Sequence, residues 1–325
     1  MKYLIIGGAG FIGSYIAEYV IELSNTAEVI IYDNFTSGKM WHLSKLIGNK
    51  KLKILNKDIY DEDIFFEASQ GVDVAILLAA NPDIARAALE PDIDFHQGTA
   101  LTQIVLEALR KGECKRLLYA SGSGVYGDIG NIAADEDHSP MRPISTYGAS
   151  KLGCEALISS YCHMFGLTAS AFRFGNVVGG RQTHGVAYDF IRRLSLNPYS
   201  LKILGDGEQS KPYIHVCDVI EAMFLVLKKQ KSIFDVYNVA PNSFSSVREI
   251  ASSVITLMGG DHNSCLIECD SADRGWKGDV PIVRLNSQKI RNLGWTETKS
   301  SAEAVNLSIK EMLANIDNIL MNEKI

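Results

Sequence analysis

Gly7-Gly8-Ala9-Gly10-Phe11-Ile12-Gly13 stands directly after the apolar run of residues 3–6 and directly before a stretch of helical periodicity. Glycines at that spacing solve three backbone problems at a strand-to-helix turn: Gly7 permits the tight turn, Gly10 lets the backbone approach a pyrophosphate, and Gly13 lets the helix pack on the strand. Phe11 and Ile12 open that helix, whose free amides and dipole face the phosphates. Asp33 follows about twenty residues after Gly13, at the end of the next apolar run, where a carboxylate accepts hydrogen bonds from an adenosine ribose and repels a 2′-phosphate. Glycines and carboxylate together point to NAD rather than NADP.

Outward from that turn, short β-branched runs alternate with helical stretches as far as residue 173. Strands are expected over 3–6, 28–32, 52–55, 74–78, 116–120 and 168–172, with helices in most of the gaps. Val74-Ala75-Ile76-Leu77-Leu78 is continuously apolar, as a strand buried on both faces requires. The expected fold is α/β, a doubly wound parallel sheet of Rossmann type. After Phe174 the rhythm breaks at Gly179-Gly180-Arg181 and Gly205-Asp206-Gly207, which predicts a smaller α+β substrate-binding region. The expected division is 1–174 for the NAD-binding part and 175–325 for the second, with some segments of the latter returning to the sheet and the ligand cleft between the two. The polar tail 321–325 is expected to fray.

The chain has 32 basic and 38 acidic residues and no basic block long enough to track a phosphate backbone, which argues against nucleic acid as a partner. An anionic substrate must then be gathered by local cations inside a cleft. The 6 cysteines are irregularly spaced; Cys265 and Cys269 are near neighbours without a second pair, so reduced buried thiols and no metal centre are expected. The first apolar stretch is far too short to span a bilayer, and a soluble, cytoplasmic protein is expected.

Tyr147 and Lys151 lie one helical turn apart on one face, after Pro143 and the cap candidates Ser145 and Thr146. A free phenol holds its proton at neutral pH, but a neighbouring ammonium, a helix N-terminus and a positive nicotinamide all favour the phenolate. Tyr147 is therefore the candidate base for a hydroxyl proton that leaves as hydride departs from the same carbon.

With Asp58-Ile59, Leu78-Ala79-Ala80 and Val125-Tyr126-Gly127 these elements occur in order, and the chain resembles the extended short-chain dehydrogenase/reductase family, in its nucleotide-sugar epimerase and dehydratase branch. The second half adds Arg173-Phe174-Gly175-Asn176, Gly207-Glu208-Gln209-Ser210-Lys211, Gly278-Asp279 and Leu293-Gly294-Trp295. The resemblance implies that Asp33-Asn34 with Ser37-Gly38 hold the adenosine ribose, that Asp58-Ile59 meet the adenine, and that Leu78-Ala79-Ala80 line the nicotinamide side. It further implies that Lys151 holds the nicotinamide ribose, Asn176 meets a sugar-nucleotide diphosphate and Asp279 meets its ribose. Lys211 stands where the family often has arginine, and Arg274 lies slightly upstream of the usual arginine; both are candidate substrate cations.

Three departures stand out. The family's catalytic serine or threonine falls on Gly122, flanked by Ser121 and Ser123, either of which is a candidate replacement or a turn residue. Gly122-Ser123-Gly124 also lacks the acid that dehydratases and decarboxylases of this branch carry there. Phe95 replaces an asparagine in Phe95-His96-Gln97-Gly98-Thr99, with no evident consequence beyond repacking. Of the histidines, His215 in an apolar run reads as structural, and His184 is placed to reach a substrate.

The expected activity is an NAD-dependent 4-epimerase that transiently oxidises C4 of a nucleotide-diphosphate hexose. Net oxidation or reduction, dehydration, and a catalytically inactive NAD- or nucleotide-sugar-binding protein are the alternatives. Apolar-patterned helices over 83–109 and 147–164 would pair across a two-fold axis in a homodimer.

Overall fold

The computed structural model describes residues 1–270, 272 and 274–321, the side chains of Ile84 and Ala85 excepted. The tail beyond residue 321, expected to fray, lies outside the described residues. Six strands arise where the apolar runs predict them: β1 (Lys2–Ile6), β2 (Glu28–Asp33), β3 (Leu52–Asn56), β4 (Val74–Leu77), β5 (Arg116–Gly122) and β6 (Thr168–Phe174). The second part of the chain adds β7 (Asn176–Val178), β8 (Ser200–Ile203), β9 (Ser210–Lys211), β10 (Tyr213–His215) and β11 (Phe234–Val239). β11 returns to the first part as the seventh strand of a wholly parallel sheet, in the order β11-β6-β5-β4-β1-β2-β3.

Side-chain alternation divides the apolar material between two faces. Along β1, Tyr3 and Ile5 join the core under α1 (Phe11–Glu22), whereas Leu4 and Ile6 join the opposite core with Phe65 of α2 (Glu62–Ser69), Leu106 of α3 (Leu101–Lys111) and Ile158 of α4 (Thr146–Phe165). A separate core gathers Ile191 of α5 (Val186–Leu196), Ile250 of α7 (Val247–Leu257) and Ile309 of α8 (Ser301–Leu313) with Leu201, Ile203 and Tyr213. Between them in sequence, α6 (Val216–Lys229) packs beside α1 on the sheet, and Trp295 joins that same core.

Two expectations are corrected. The segment 83–109 is not one helix: a short 3₁₀ turn (Ile84–Ala88) precedes a π-helical turn (Phe95–Ala100), which leads into α3. Pro91 accounts for the break, because proline removes an amide donor and clashes with the preceding turn. Nor are all the thiols buried, since Cys217 and Cys269 are exposed. Among the described residues no helix is long and apolar enough to cross a membrane.

Candidate active site

The strand order reverses between β1 and β4, so the loops after these strands diverge and leave a crevice at their C-terminal ends. Gly7, at φ +80, turns there so close to β4 that a Cβ would lie 2.7 Å from the Ala79 amide nitrogen. A Cβ on Gly13 would lie 2.5 Å from the Gly7 carbonyl. Side chains at either position would thus fill the turn that lets α1 begin against the sheet. Gly10 caps α1 without any side-chain hydrogen bond, which leaves first-turn amides free toward the cleft wall formed by Gly7, Gly10, Phe11, Ile12 and Gly13. An uncapped, glycine-cleared helix start is a fit for a dinucleotide pyrophosphate.

Asp33 closes one end of this wall. Its carboxylate accepts from the Ala9 amide at 2.9 Å and the Phe35 amide at 2.8 Å, and burial raises its pKa above the ordinary carboxylate value against the pull of those amides. Ser37 lines the cleft beside it; Gly38 sits against the same carboxylate, where a Cβ would come within 2.8 Å. Asn34 instead bonds the Asp58 carboxylate at 2.8 Å, and Ile59 is buried in the core, so neither they nor Asp58 line the cleft. Leu78, Ala79 and Ala80 line the opposite side, continued by Asn81 and Pro82.

At the centre, Ser145 caps α4 by accepting from the Gly148 amide at 3.1 Å, which sets Tyr147 in the first turn. Lys151, one turn on, is 5 % exposed; its ammonium donates to the Ala120 carbonyl at 2.7 Å and lies 5.4 Å from the centre of the Tyr147 ring. Two of its three donors remain for a ligand. The flanking serines separate: Ser121 is buried and donates to Glu155 at 2.5 Å, whereas Ser123 lines the cleft and its hydroxyl makes no hydrogen bond among the described residues. Gly122 is extended, and a Cβ there would meet nothing within 4 Å, so the missing hydroxyl leaves open space.

Asn176, Lys211 and Asp279 line the far end, with Lys211 paired to Asp279 at 2.7 Å. Arg274 is not on the cleft wall: it bonds the Asp128 carboxylate at 2.8 Å and the Asp279 carbonyl at 3.0 Å, and Trp276 lines the cleft in that loop, with Lys211 5.2 Å from its ring centre. His184 lines the wall. His215 is buried, caps α6 and meets Glu311 at 3.4 Å, a structural pairing. Residues 81–82, Gln182, Thr183 and Trp276 were not anticipated; Asn81 and Pro82 directly follow the Leu78-Ala79-Ala80 strand end and could have been read as its continuation. The carboxylates on the wall, among the described residues, are Asp33 and Asp279.

The model of the NAD dependent epimerase/dehydratase family matches residues 3–240. A putative UDP-glucose 4-epimerase of Methanocaldococcus jannaschii is 30% identical over 318 residues, covering 96% of this chain and 98% of the relative. A crystal structure of a UDP-galactose 4-epimerase superposes with a TM-score of 0.85 at 34% identity, over 97% of this chain and 99% of that one. The dTDP-glucose 4,6-dehydratase of Streptomyces venezuelae, solved with NAD bound, superposes with a TM-score of 0.88 at 25% identity, over 98% of each chain.

Proposed function

The chain belongs to the NAD-dependent epimerase/dehydratase family, with NAD as cofactor, and we propose that within it the protein is a nucleotide-sugar 4-epimerase. The observation that carries this reading is the composition of the cleft around Tyr147: a phenol beside a buried ammonium, with the wall's two carboxylates elsewhere, Asp33 against the Ala9 and Phe35 amides and Asp279 against Lys211. Elimination of water needs an acid beside the sugar; proton exchange at a hydroxyl needs only the phenol.

Bound NAD supplies the hydride acceptor and donor. Tyr147 takes the proton from the C4 hydroxyl and returns it after the 4-keto sugar has presented its other face. Lys151 holds ribose hydroxyls with its two remaining donors. Ser123 holds O4 in this reading, since Ser121 is committed to Glu155. Lys211 and Asn176 hold the diphosphate, and Asp279 the nucleoside ribose. The protein acts in the cytoplasm as a homodimer, for which a monomer mass by light scattering would count against the assembly.

The test is incubation of the purified protein with a panel of UDP- and dTDP-hexoses. Interconversion of C4 epimers without net NADH is the expected result; a 4-keto-6-deoxy product would establish a dehydratase instead, and accumulating NADH a dehydrogenase.

Asp33 gives a separate expectation. Its carboxylate accepts ribose hydroxyls most strongly when ionised, since protonation turns one oxygen into a donor, and burial raises its pKa. NAD affinity is therefore flat around neutrality and falls as pH drops through that raised value. Fluorescence titration of NAD against pH should show this acid limb, and Asp33→Asn should remove it while narrowing the preference for NAD over NADP. An unchanged limb in the variant would assign it to another group.

A further inference from the structure

Asp94 has no part in the site described above and is only 2 % exposed. One carboxylate oxygen accepts from the Asn81 amide at 2.9 Å and the other from the Thr146 hydroxyl at 2.7 Å. Its backbone carbonyl accepts from the Ser150 hydroxyl at 2.7 Å, and Ser150 lies 3.0 Å from the Thr99 hydroxyl. Asn81 is itself fixed by Asp83, whose amide it accepts at 3.0 Å and whose carbonyl it bonds at 2.8 Å. One residue thus ties the cleft wall that follows β4 to both of the first two turns of α4, at positions directly adjoining Tyr147 and Lys151.

The π-helical turn delivers this residue. Phe95 opens the turn with its ring 56% exposed, and Asp94 immediately before it faces inward. The side chain at 95 thus lies outside, and Asp94 takes the inward position. Single π turns inserted in α-helical segments recur at functional sites because they re-aim side chains.

We propose that Asp94 is a positioning residue that locks the Tyr147 phenol in register with the nicotinamide-side wall. The chemistry of the contact is selective. Two donors approach two different oxygens, and a carboxylate accepts both, whereas an amide accepts one and turns its NH₂ toward the other donor. A loose first turn in α4 leaves nucleotide binding intact, because the residues read as holding the nucleotide, Asn176, Lys211 and Asp279, lie outside α4, yet spoils the alignment of the phenol with the reacting hydroxyl.

The inference rests on the reading of Tyr147 as the base, so its test includes a measurement made without substrate. Asp94→Asn and Thr146→Val are each expected to speed hydrogen exchange of the amides at 146–151 by about tenfold and to lower kcat by about tenfold or more with KM little changed. The double variant should lose little beyond either single change, because the two groups form one unit. Thr146→Ser keeps the hydroxyl and should stay within about twofold of the parent in both readouts. Should Asp94→Asn fail to fold, the Thr146→Val and Thr146→Ser pair decides alone. Parental exchange and kcat in Thr146→Val would overturn the proposal, as would KM and kcat moving together in step with a lowered unfolding midpoint. A parent protein inert on every nucleotide sugar would sink the catalytic reading, while unchanged exchange would sink this one.

Discussion

Tyr147→Phe is expected to lower kcat for epimerisation by about 10²–10⁴-fold, the range by which a positioned acid–base group accelerates proton transfer. KM and NAD content should stay near the parental values. The substitution removes one oxygen and keeps the ring, and the Tyr147 hydroxyl makes no hydrogen bond among the described residues, so nothing structural is left unpaired. The Lys151 ammonium keeps its bond to the Ala120 carbonyl and its place over the Tyr119 ring, 5.0 Å from the centre. Steady-state rates, bound NAD released by denaturation and a thermal melt check the three parts. A variant with full kcat would remove Tyr147 from the chemistry and with it the case for epimerisation. A loss of kcat with an equal loss of bound NAD would make the phenol a cofactor ligand instead.

What was legible in the sequence follows how locally each feature is encoded. β1, β2 and β4 are buried on both faces and read as unbroken apolar runs, so their place in a parallel sheet was visible without a structure. β11, Phe234-Asp235-Val236-Tyr237-Asn238-Val239, was not, because it is an edge strand whose polar residues have their own partners: Asp235 pairs with Lys289, and the Asn238 side chain bonds the Tyr126 hydroxyl and the Ala134 and Asn286 carbonyls. The glycine turn and Tyr147 with Lys151 are short-range patterns and were equally plain. Arg274 illustrates the opposite case. Its charge suggested a substrate cation, but Asp128, far away in the chain, claims it, and no local pattern reports that. Asp94 is the same kind of feature, since its partners Asn81 and Thr146 come from a loop and a helix that meet only after the sheet is built.

Arg173→Met is expected to destabilise the fold by about 3–5 kcal/mol, the cost of leaving one member of a buried ion pair unpaired. Arg173 and Glu155 are 3% and 5% exposed and meet through two hydrogen bonds of 3.1 and 2.7 Å. The guanidinium also donates to the Tyr126 hydroxyl at 2.9 Å and the Glu136 carbonyl at 3.1 Å. In its absence Glu155 keeps only the Ser121 hydroxyl at 2.5 Å, far short of what a buried carboxylate needs. Urea unfolding would register the change as a lower midpoint at similar slope. Removing both charges, as in Arg173→Met with Glu155→Leu, should recover most of the stability, because apolar groups of similar volume replace a buried pair at little cost. It should not recover the site to the same degree. Ser121 loses its acceptor in the double variant, and the Gly122-Ser123 segment that follows it along the cleft loses its anchor. Stability regained with kcat still depressed would mark the pair as the support of the 121–123 segment; stability and kcat regained together would reduce it to a fold contact. A single-variant loss below about 1 kcal/mol would mean that the pair is hydrated and holds neither.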